Sequence, residues 1–188
     1  MATNSSSGRG PDPSRRPGRV PSADHVPPRP VTPLPPRDQA ASERAGTDRA
    51  ESLRAESGPG ARRAIVDGSN VAHAGEQGAR LTTLLAVRDE LLEEGFEPII
   101  VADAALRHQI DDKAGYERLV DEGGIQQAPA GTDADYFILA LAKGLEASIV
   151  SNDRFRDGGR LADEAKKRQI RFMVVAGEVV LEKRTKPR

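Results

Sequence analysis

The feature that most constrains the fold is a series of short runs of consecutive apolar residues, separated by segments with helical spacing. Residues 64–66, 99–102 and 149–150 form the clearest runs, and residues 125–128 and 170–175 form weaker ones. Runs of this kind are typical of strands that are covered on both faces, whereas alternation marks a sheet with one solvated face. About 30 residues separate the first two runs, which is enough for a right-handed strand–helix–strand crossover. The pattern predicts an α/β fold with three layers and a mainly parallel central sheet.

Apolar residues at helical spacing predict the elements between these strands. Five leucines between residues 81 and 92 lie mostly on one helical face, and Gly95 follows where a C-terminal cap is expected. A second apolar stripe predicts a helix over residues 133–145. The remaining predicted elements are short helices over residues 104–110, 112–122 and 160–168 and an edge strand over residues 179–181.

Composition divides the chain near residue 60. Residues 1–60 hold 11 of the 14 prolines and no aromatic residue, and such a segment cannot bury enough surface to offset its ordering entropy. We therefore expect a disordered tail rich in Pro, Gly, Ser and Arg over residues 1–60. Its segment 38–57 is expected to form transient helix at most, because Leu53 is its only large apolar residue. A folded domain over residues 61–182 and a basic C-terminal tail over residues 183–188 complete the prediction.

Several classes of protein are excluded by residues that are missing. The chain has no cysteine, which removes disulfide scaffolds, thiol catalysis and cysteine-ligated zinc. No apolar run approaches the roughly 20 residues that span a bilayer, and the N-terminal residues lack a basic region followed by an apolar one. We therefore expect a cytoplasmic protein with no membrane partner. The net charge of -1 does not by itself mark a nucleic-acid binder.

Aspartates stand at the ends of the clearest predicted strands. Asp67, Asp103 and Asp153 each follow an apolar run, and Asp133 and Asp135 open the predicted helix after the third strand. The carboxyl ends of parallel strands share one edge of a sheet, where ligands bind. Several carboxylates in one place require protonation or a cation. Because the chain has few histidines, an oxygen-only cluster favours Mg²⁺ or Mn²⁺.

Each of these acids also has a structural interpretation. An aspartate at a strand-to-helix junction commonly caps the helix, and this role is as compatible with Asp103 and Asp133 as metal binding is. Capping is the weaker interpretation for Asp67, because residues 68–70 predict a tight turn after the strand.

Three ordered motifs resemble one family of nucleases. They are Ile65-Val66-Asp67-Gly68-Ser69-Asn70-Val71-Ala72, Asp135-Tyr136-Phe137-Ile138-Leu139-Ala140-Leu141-Ala142 and Ile149-Val150-Ser151-Asn152-Asp153-Arg154-Phe155-Arg156-Asp157. Over roughly residues 63–158 the chain resembles the NYN branch of the PIN-like nucleases. The closest likeness is to the endoribonuclease domain of regnase, a CCCH zinc-finger RNase. The resemblance implies a PIN-like sheet and endonucleolytic hydrolysis of single-stranded RNA by a metal-activated water, leaving 5′-phosphate and 3′-hydroxyl ends.

The same resemblance implies roles for individual residues. Asp67, Asp135, Asp153 and Asp157 would bind Mg²⁺ or Mn²⁺, and Asn70 would orient the water or the substrate. The implied catalytic residues are thus Asp67, Asn70, Asp135 and Asp153. In the resembled domain two adjacent acids open the middle helix, whereas here Ala134 stands beside Asp135. The further candidates for the site are Asp103, Thr132 and Asp133.

The substrate is expected to meet Ser69, which lies beside Asn70, and three arginines, namely Arg107, Arg154 and Arg156. Single-stranded RNA is the expected partner, and a second copy of the chain or a protein inhibitor are partners that the sequence leaves open. A zinc finger is absent because the chain has no cysteine.

Three other functions compete with this interpretation. A von Willebrand A module would begin with Asp-x-Ser-x-Ser, but Val71 stands in place of the second serine. A haloacid-dehalogenase-like phosphatase needs a second aspartate where Ser69 stands. A catalytically weak PIN-like module that binds RNA or protein is the serious alternative, and Ala134 motivates it.

Overall fold

The computed structural model of the protein describes residues 38–56, 60, 62–175 and 177–182. The tail expected over residues 1–37 and the C-terminal tail expected over residues 183–188 lie outside the described residues. None of the described helices is both long and apolar enough to cross a membrane. The elements in chain order are α1 (Gln39–Glu56), β1 (Arg63–Asp67), α2 (Gly68–Ala72), α3 (Leu81–Glu93), β2 (Glu97–Ala102), α4 (Leu106–Gln109), α5 (Lys113–Asp121), β3 (Ile125–Gln127), α6 (Ala134–Leu145), β4 (Ser148–Val150), α7 (Gly159–Lys166), β5 (Gln169–Ile170), β6 (Phe172–Val175) and β7 (Glu178–Leu181).

The central sheet has five strands in the order β3-β2-β1-β4-β5, and every pair is parallel. In the middle strand β1, Val66 pairs with Ile100 on one side and with Val150 on the other. The chain returns from β3 at one edge to β4 on the other side of β1, so the strand order reverses between β1 and β4. The crevice at such a switch point is where ligands bind in open α/β sheets.

Both faces of this sheet are covered, as the consecutive apolar residues predicted. Ala64 and Val66 belong to a buried cluster with α3, α4 and α5, whereas Ile65 belongs to a second cluster with α1, α6 and α7. Since neighbouring residues of a strand point to opposite faces, continuous apolar sequence is what a sheet between two helical layers requires. The predicted three-layer α/β fold with a mainly parallel sheet is confirmed.

The C-terminal strands differ from the prediction. The apolar segment 170–175 breaks at Arg171, so that β5 joins the central sheet while β6 starts a separate antiparallel hairpin with β7. The predicted edge strand over residues 179–181 therefore pairs with β6 and not with the central sheet. The break has a physical cause, because the side chain of Asn152 occupies both backbone groups of Phe172.

The prediction of an undocked segment over residues 38–57 is wrong. Residues 39–56 form helix α1, which packs along α6 and buries Ala50 and Leu53 in the same cluster as Phe137 and Leu141. The folded part of the chain therefore begins before residue 61.

Small residues explain how α1 docks without large apolar side chains. Ser42, Gly46, Ala50 and Leu53 are the buried residues of α1 and recur every three or four positions. A Cβ atom on Gly46 would lie 2.7 Å from the carbonyl oxygen of Phe137, and one on Gly144 would lie 2.4 Å from the Cβ of Ala50. The two backbones thus approach closely at these positions and gain dispersion contacts there. The spacing of large apolar residues in the sequence does not reveal such packing.

Candidate active site

Asp67 ends β1 and is buried at the carboxyl edge of the sheet. Its Oδ1 accepts a hydrogen bond of 3.1 Å from the backbone N–H of Asn70, so Asp67 caps the short helix α2. The following residue, Gly68, lies so close to β2 that a Cβ there would be 2.9 Å from the carbonyl oxygen of Val101. Capping was the weaker interpretation of Asp67 from the sequence, because a turn was expected where α2 begins. The structure corrects that expectation.

Ser151 links the ends of β1 and β4. Its hydroxyl donates a hydrogen bond of 2.9 Å to Oδ2 of Asp67 and accepts one of 3.0 Å from the backbone N–H of Asp153. The hydroxyl is fully buried, so these contacts satisfy it away from water. One hydroxyl therefore ties the backbone of Asp153 to the carboxylate of Asp67.

The loop after β4 is fastened from three sides. Oδ1 of Asn70 accepts a 2.9 Å hydrogen bond from the N–H of Asn152, and the Asn152 side chain exchanges two hydrogen bonds with the backbone of Phe172. Nε2 of Gln169 donates to the carbonyl oxygens of Ser151 and Asp153, at 2.7 Å each. Residues 151–153 are therefore held from α2, β5 and β6 at once.

Asp133 and Asp135 lie at the N-terminus of α6. Oδ1 of Asp133 accepts from the N–H of Asp135 at 3.0 Å and from that of Tyr136 at 3.4 Å, which makes Asp133 the N-cap. The N–H of Asp133 in turn donates to the hydroxyl of Ser42 at 2.7 Å. Helix α1 therefore holds the start of the helix that carries Asp135.

A turn after Asp153 presents two arginines. Phe155 adopts a left-handed conformation with φ of 45° and buries its ring in the core, while its N–H donates to Oδ1 of Asp153 at 2.6 Å. The flanking Arg154 and Arg156 are exposed. A buried ring between two exposed arginines fixes the turn and leaves both guanidinium groups at the surface.

These segments meet around one cavity of about 480 Å³. Seven predicted site residues line it, together with three that were not predicted. The lining consists of Asn70, Asp133, Asp135, Tyr136, Asn152, Asp153, Arg154, Arg156, Asp157 and Gly158. The cavity thus carries four carboxylates against two guanidinium groups, an acidic excess that would repel a phosphate unless a cation neutralised it.

The buried carboxyl group of Asp67 is affected by its surroundings and by the charge of Asp153. Burial raises the pKa of Asp67 above its ordinary value, the hydrogen bonds from Asn70 and Ser151 oppose that rise, and the negative charge of Asp153 adds to it. A carboxylate with a raised pKa beside a second carboxylate is typical of a site that receives positive charge.

The other predicted residues do not line this cavity. Arg107 pairs with Glu117 at 3.1 Å and so faces α5 instead of the site. Ser69 accepts a hydrogen bond from the N–H of Asp103 through its hydroxyl, and the Asp103 carboxylate accepts from Ala105. Thr132 donates to the carbonyl oxygen of Pro129. These residues shape the neighbouring loops.

Four contributors were missed by sequence reasoning. Ser151 and Asn152 follow an apolar strand, so their position was a usable signal; Tyr136 follows Asp135 and donates to the carbonyl oxygen of Asp157. Gln169 gives no sequence signal, because it reaches the site loop from a strand 16 residues beyond Asp153.

The donors around the cavity suit a hard divalent cation in their chemistry, because carboxylate oxygens are the ligands that Mg²⁺ and Mn²⁺ prefer. Within the residues that the structure describes, no three Asp, Glu, His or Cys side chains are arranged to hold one ion. Two of the acids instead have backbone partners, since Asp133 caps α6 and Asp153 accepts from Phe155. Both carboxylates therefore also fix the local backbone.

The family model described as the Zc3h12a-like ribonuclease NYN domain matches residues 60–186. A comparison with curated proteins gives no significant match.

Among the solved structures that match, two share the fold as follows. A crystal structure of nuclear proteinaceous RNase P 2 from A. thaliana superposes with a TM-score of 0.59 at 23% identity, covering 77% of this chain and 34% of that one. A second structure of Arabidopsis thaliana nuclear protein-only RNase P 2 gives a TM-score of 0.53 at 24% identity, with coverages of 76% and 36%. The chain thus spans about a third of the length of these proteins.

Proposed function

The chain belongs to the Zc3h12a-like ribonuclease NYN domain family, and on that premise we propose that it is a metal-dependent endoribonuclease acting on single-stranded RNA. The observation that carries the proposal is the cavity at the switch point of the sheet, where four carboxylates, Asn70 and two arginines are gathered from separate segments. Membership of a ribonuclease family supports the proposed chemistry, and the cavity offers a site for it.

Divalent metal dependence is supported by the charge of the cavity. A phosphodiester carries a negative charge, and so do the four carboxylates that line the site. We propose that Asp135, Asp153 and Asp157 hold Mg²⁺ or Mn²⁺, with Asp67 beside them. When bound, such an ion neutralises phosphate oxygens and lowers the pKa of a coordinated water.

The side chains of the protein then have distinct tasks. Arg154 and Arg156 bind phosphates on either side of the bond that is cut, because a guanidinium group donates to two phosphate oxygens at once. Asn70 uses Oδ1 to accept from Asn152, which leaves Nδ2 as the donor for a phosphate oxygen or the attacking water. Asp67 acts from a buried position, where its charge strengthens the field felt by a cation near Asp153.

We propose a single strand as the substrate because the acids and arginines share one compact cavity. A flexible strand can bend so that one phosphate enters it, whereas a base-paired helix presents its phosphates on a stiff cylinder. Binding of a second copy of the chain or of a protein inhibitor stays a prediction.

A second candidate is an RNA-binding domain with little activity. The backbone partners of Asp133 and Asp153 favour it, since both carboxylates have structural work besides any metal binding. Against it stands the acidic excess of the cavity, which by itself weakens the binding of a polyanion.

A cleavage assay separates the two candidates. Labelled single-stranded RNA and the duplex of the same sequence are incubated with the full chain in Mg²⁺ or Mn²⁺, with and without EDTA. We expect cleavage of the single strand, loss of cleavage in EDTA, and a loss of at least a hundredfold in Asp135→Asn and in Asp153→Asn. The matched control is Asp163→Asn, which removes an exposed carboxylate of α7 and should change the rate less than twofold.

Cleavage that is unaffected by EDTA, or that persists in both variants, would overturn the assignment. Tight RNA binding without cleavage in the wild type would support the second candidate.

A further inference from the structure

The hairpin of β6 and β7 has one buried and one exposed face. Phe172 and Leu181 turn inward and belong to the core cluster of α3. Met173 and Val180 are directly paired across the two strands on the other face, and they are 63% and 48% exposed. Val175 lies on the same outer face and is 57% exposed. Exposed apolar side chains grouped in this way mark a binding surface more often than singly scattered ones do.

A cavity of about 410 Å³ opens over this hairpin, within the usual range of ~300–1,000 Å³ for small-molecule pockets. Met173 and Val180 form its apolar wall, and Arg171 and Glu182 supply polar groups at its rim. Val175 is not among its lining residues.

The hairpin cavity adjoins the candidate active site. Asn152 lines both cavities, and its side chain is bonded to both backbone groups of Phe172, which also lines the hairpin cavity. A strand held in the active-site cavity therefore has the hairpin cavity as a neighbouring surface.

The chemistry of the hairpin cavity fits a nucleobase. A base has two flat apolar faces and polar edges, and proteins bind unpaired bases by contact on the faces and by hydrogen bonds on the edges. The apolar wall offers a surface for a face, Arg171 offers a guanidinium plane for stacking or a cation for the adjoining phosphate, and Glu182 offers an acceptor for base amino or imino groups.

We propose that the hairpin cavity binds the base of a nucleotide adjacent to the phosphate held in the active site. The proposal rests on the proposed function, because the RNA strand is what brings the base to this place. It makes the hairpin the element that requires an unpaired base, since a base within a duplex cannot turn its face to Met173 and Val180.

Binding and abasic substitution test the proposal together. The full-length protein is titrated into a fluorescent single-stranded 12-mer in EDTA, and its affinity is compared with a set of 12-mers that each lack one base. We expect Met173→Ala/Val180→Ala to weaken binding of the intact RNA about tenfold, the order of one lost base contact. Val175→Ala is the matched control, because it removes a similarly exposed side chain from the same face outside the cavity, and it should change the affinity less than twofold.

The set of RNAs that each lack one base distinguishes a lost base contact from general damage to the hairpin, because general damage would weaken binding of every RNA alike. In the wild type and in Val175→Ala, one missing base should weaken binding more than the others do. In the double variant that difference should vanish, because the base and its contact surface are two parts of one interaction.

Equal affinities of the double variant and the control would overturn the proposal, and so would a double variant that keeps the abasic preference. A double variant that changes only the sedimentation coefficient of the protein would overturn it in favour of contact between copies of the chain. The cleavage assay described above keeps the two proposals apart. If the wild type cuts RNA but shows no preference in the abasic series, only the hairpin proposal is overturned. If it neither binds nor cuts RNA, the hairpin proposal and the proposed ribonuclease function are both overturned.

Discussion

The hydroxyl of Ser42 accepts a hydrogen bond of 2.7 Å from the backbone N–H of Asp133. Ser42 is fully buried in α1, and Asp133 caps α6 at the edge of the candidate active site. A helix that lies outside the family match of residues 60–186 thus fixes the start of the helix that carries Asp135.

Replacement of Ser42 by alanine should destabilise the protein. The variant leaves the N–H of Asp133 without its partner, which costs about 1–3 kcal/mol of unfolding free energy. Urea denaturation measures the change. The matched control is Ser52→Ala, which removes an exposed hydroxyl from the same helix and should stay within about 0.5 kcal/mol of the wild type. Equal effects of the two variants would argue against the linkage of α1 to α6.

Removal of α1 should lower the melting temperature. Composition alone predicts that a chain without residues 1–58 unfolds as the whole chain does, but Ala50 and Leu53 are buried against α6. A chain that starts at residue 59 is compared by calorimetry with one that starts at Asp38 and keeps the helix. Equal melting temperatures would show that α1 adds no stability.

The closest approach of α1 and α6 predicts a compensating pair of substitutions. Gly144→Ala places a Cβ 2.4 Å from the Cβ of Ala50, and overpacking of this kind typically costs about 1–3 kcal/mol. Ala50→Gly removes the obstructing atom, so adding it to Gly144→Ala should restore part of the lost stability. A double-mutant cycle in urea measures the coupling. A coupling energy near zero would contradict the close packing.

Asp67 should make stability fall with rising pH. Burial raises the pKa of Asp67 above its ordinary value of 3.8, so the native state holds the proton more tightly than the unfolded chain. Its stabilising contribution is complete below the unfolded pKa and is lost as the pH rises through the folded pKa. Asp67→Asn, which stays uncharged, should remove this part of the pH profile and raise the unfolding free energy at pH 7 while cleavage is lost. A profile that is the same in both proteins would contradict the assignment.

Capping and catalysis can be separated at the start of α6. Asp133→Ser keeps a side-chain oxygen that can cap the helix, so it should keep the melting temperature and lower the rate of cleavage less than tenfold. Asp135→Asn should keep the melting temperature and abolish cleavage. Loss of cleavage in Asp133→Ser at unchanged stability would instead make Asp133 part of the catalytic set.

The sheet was predictable because its strands lie between two helical layers, which forces consecutive apolar residues such as Ile65 and Val66. Helix α1 was not, since its buried face is built from Gly46 and Ala50, whose packing depends on the partner helix and leaves no apolar stripe. The break between β5 and β6 depends on Asn152, whose hydrogen bonds to Phe172 span 20 residues.

The residues of the candidate site likewise divide into those that the sequence predicts and those that it does not. Strand ends indicated Asp67 and Asp153, because parallel topology alone brings them to one edge. The turn of Arg107 toward Glu117 depends on where α4 and α5 pack, which the sequence motifs do not describe. Which carboxylates cap helices depends on the residue at which each helix begins, and a shift of that start by one residue changes which carboxylate is the cap.

The hydrogen bonds that join Asn70, Gln169 and Phe172 to residues 151–153 limit how this site can be transferred to another protein. If residues 151–153 alone were transferred to another parallel sheet, their functional groups would lack the hydrogen bonds that orient them here. The smallest unit that keeps these hydrogen bonds is the stretch from residue 149 to residue 172 together with helix α2, which carries Asn70.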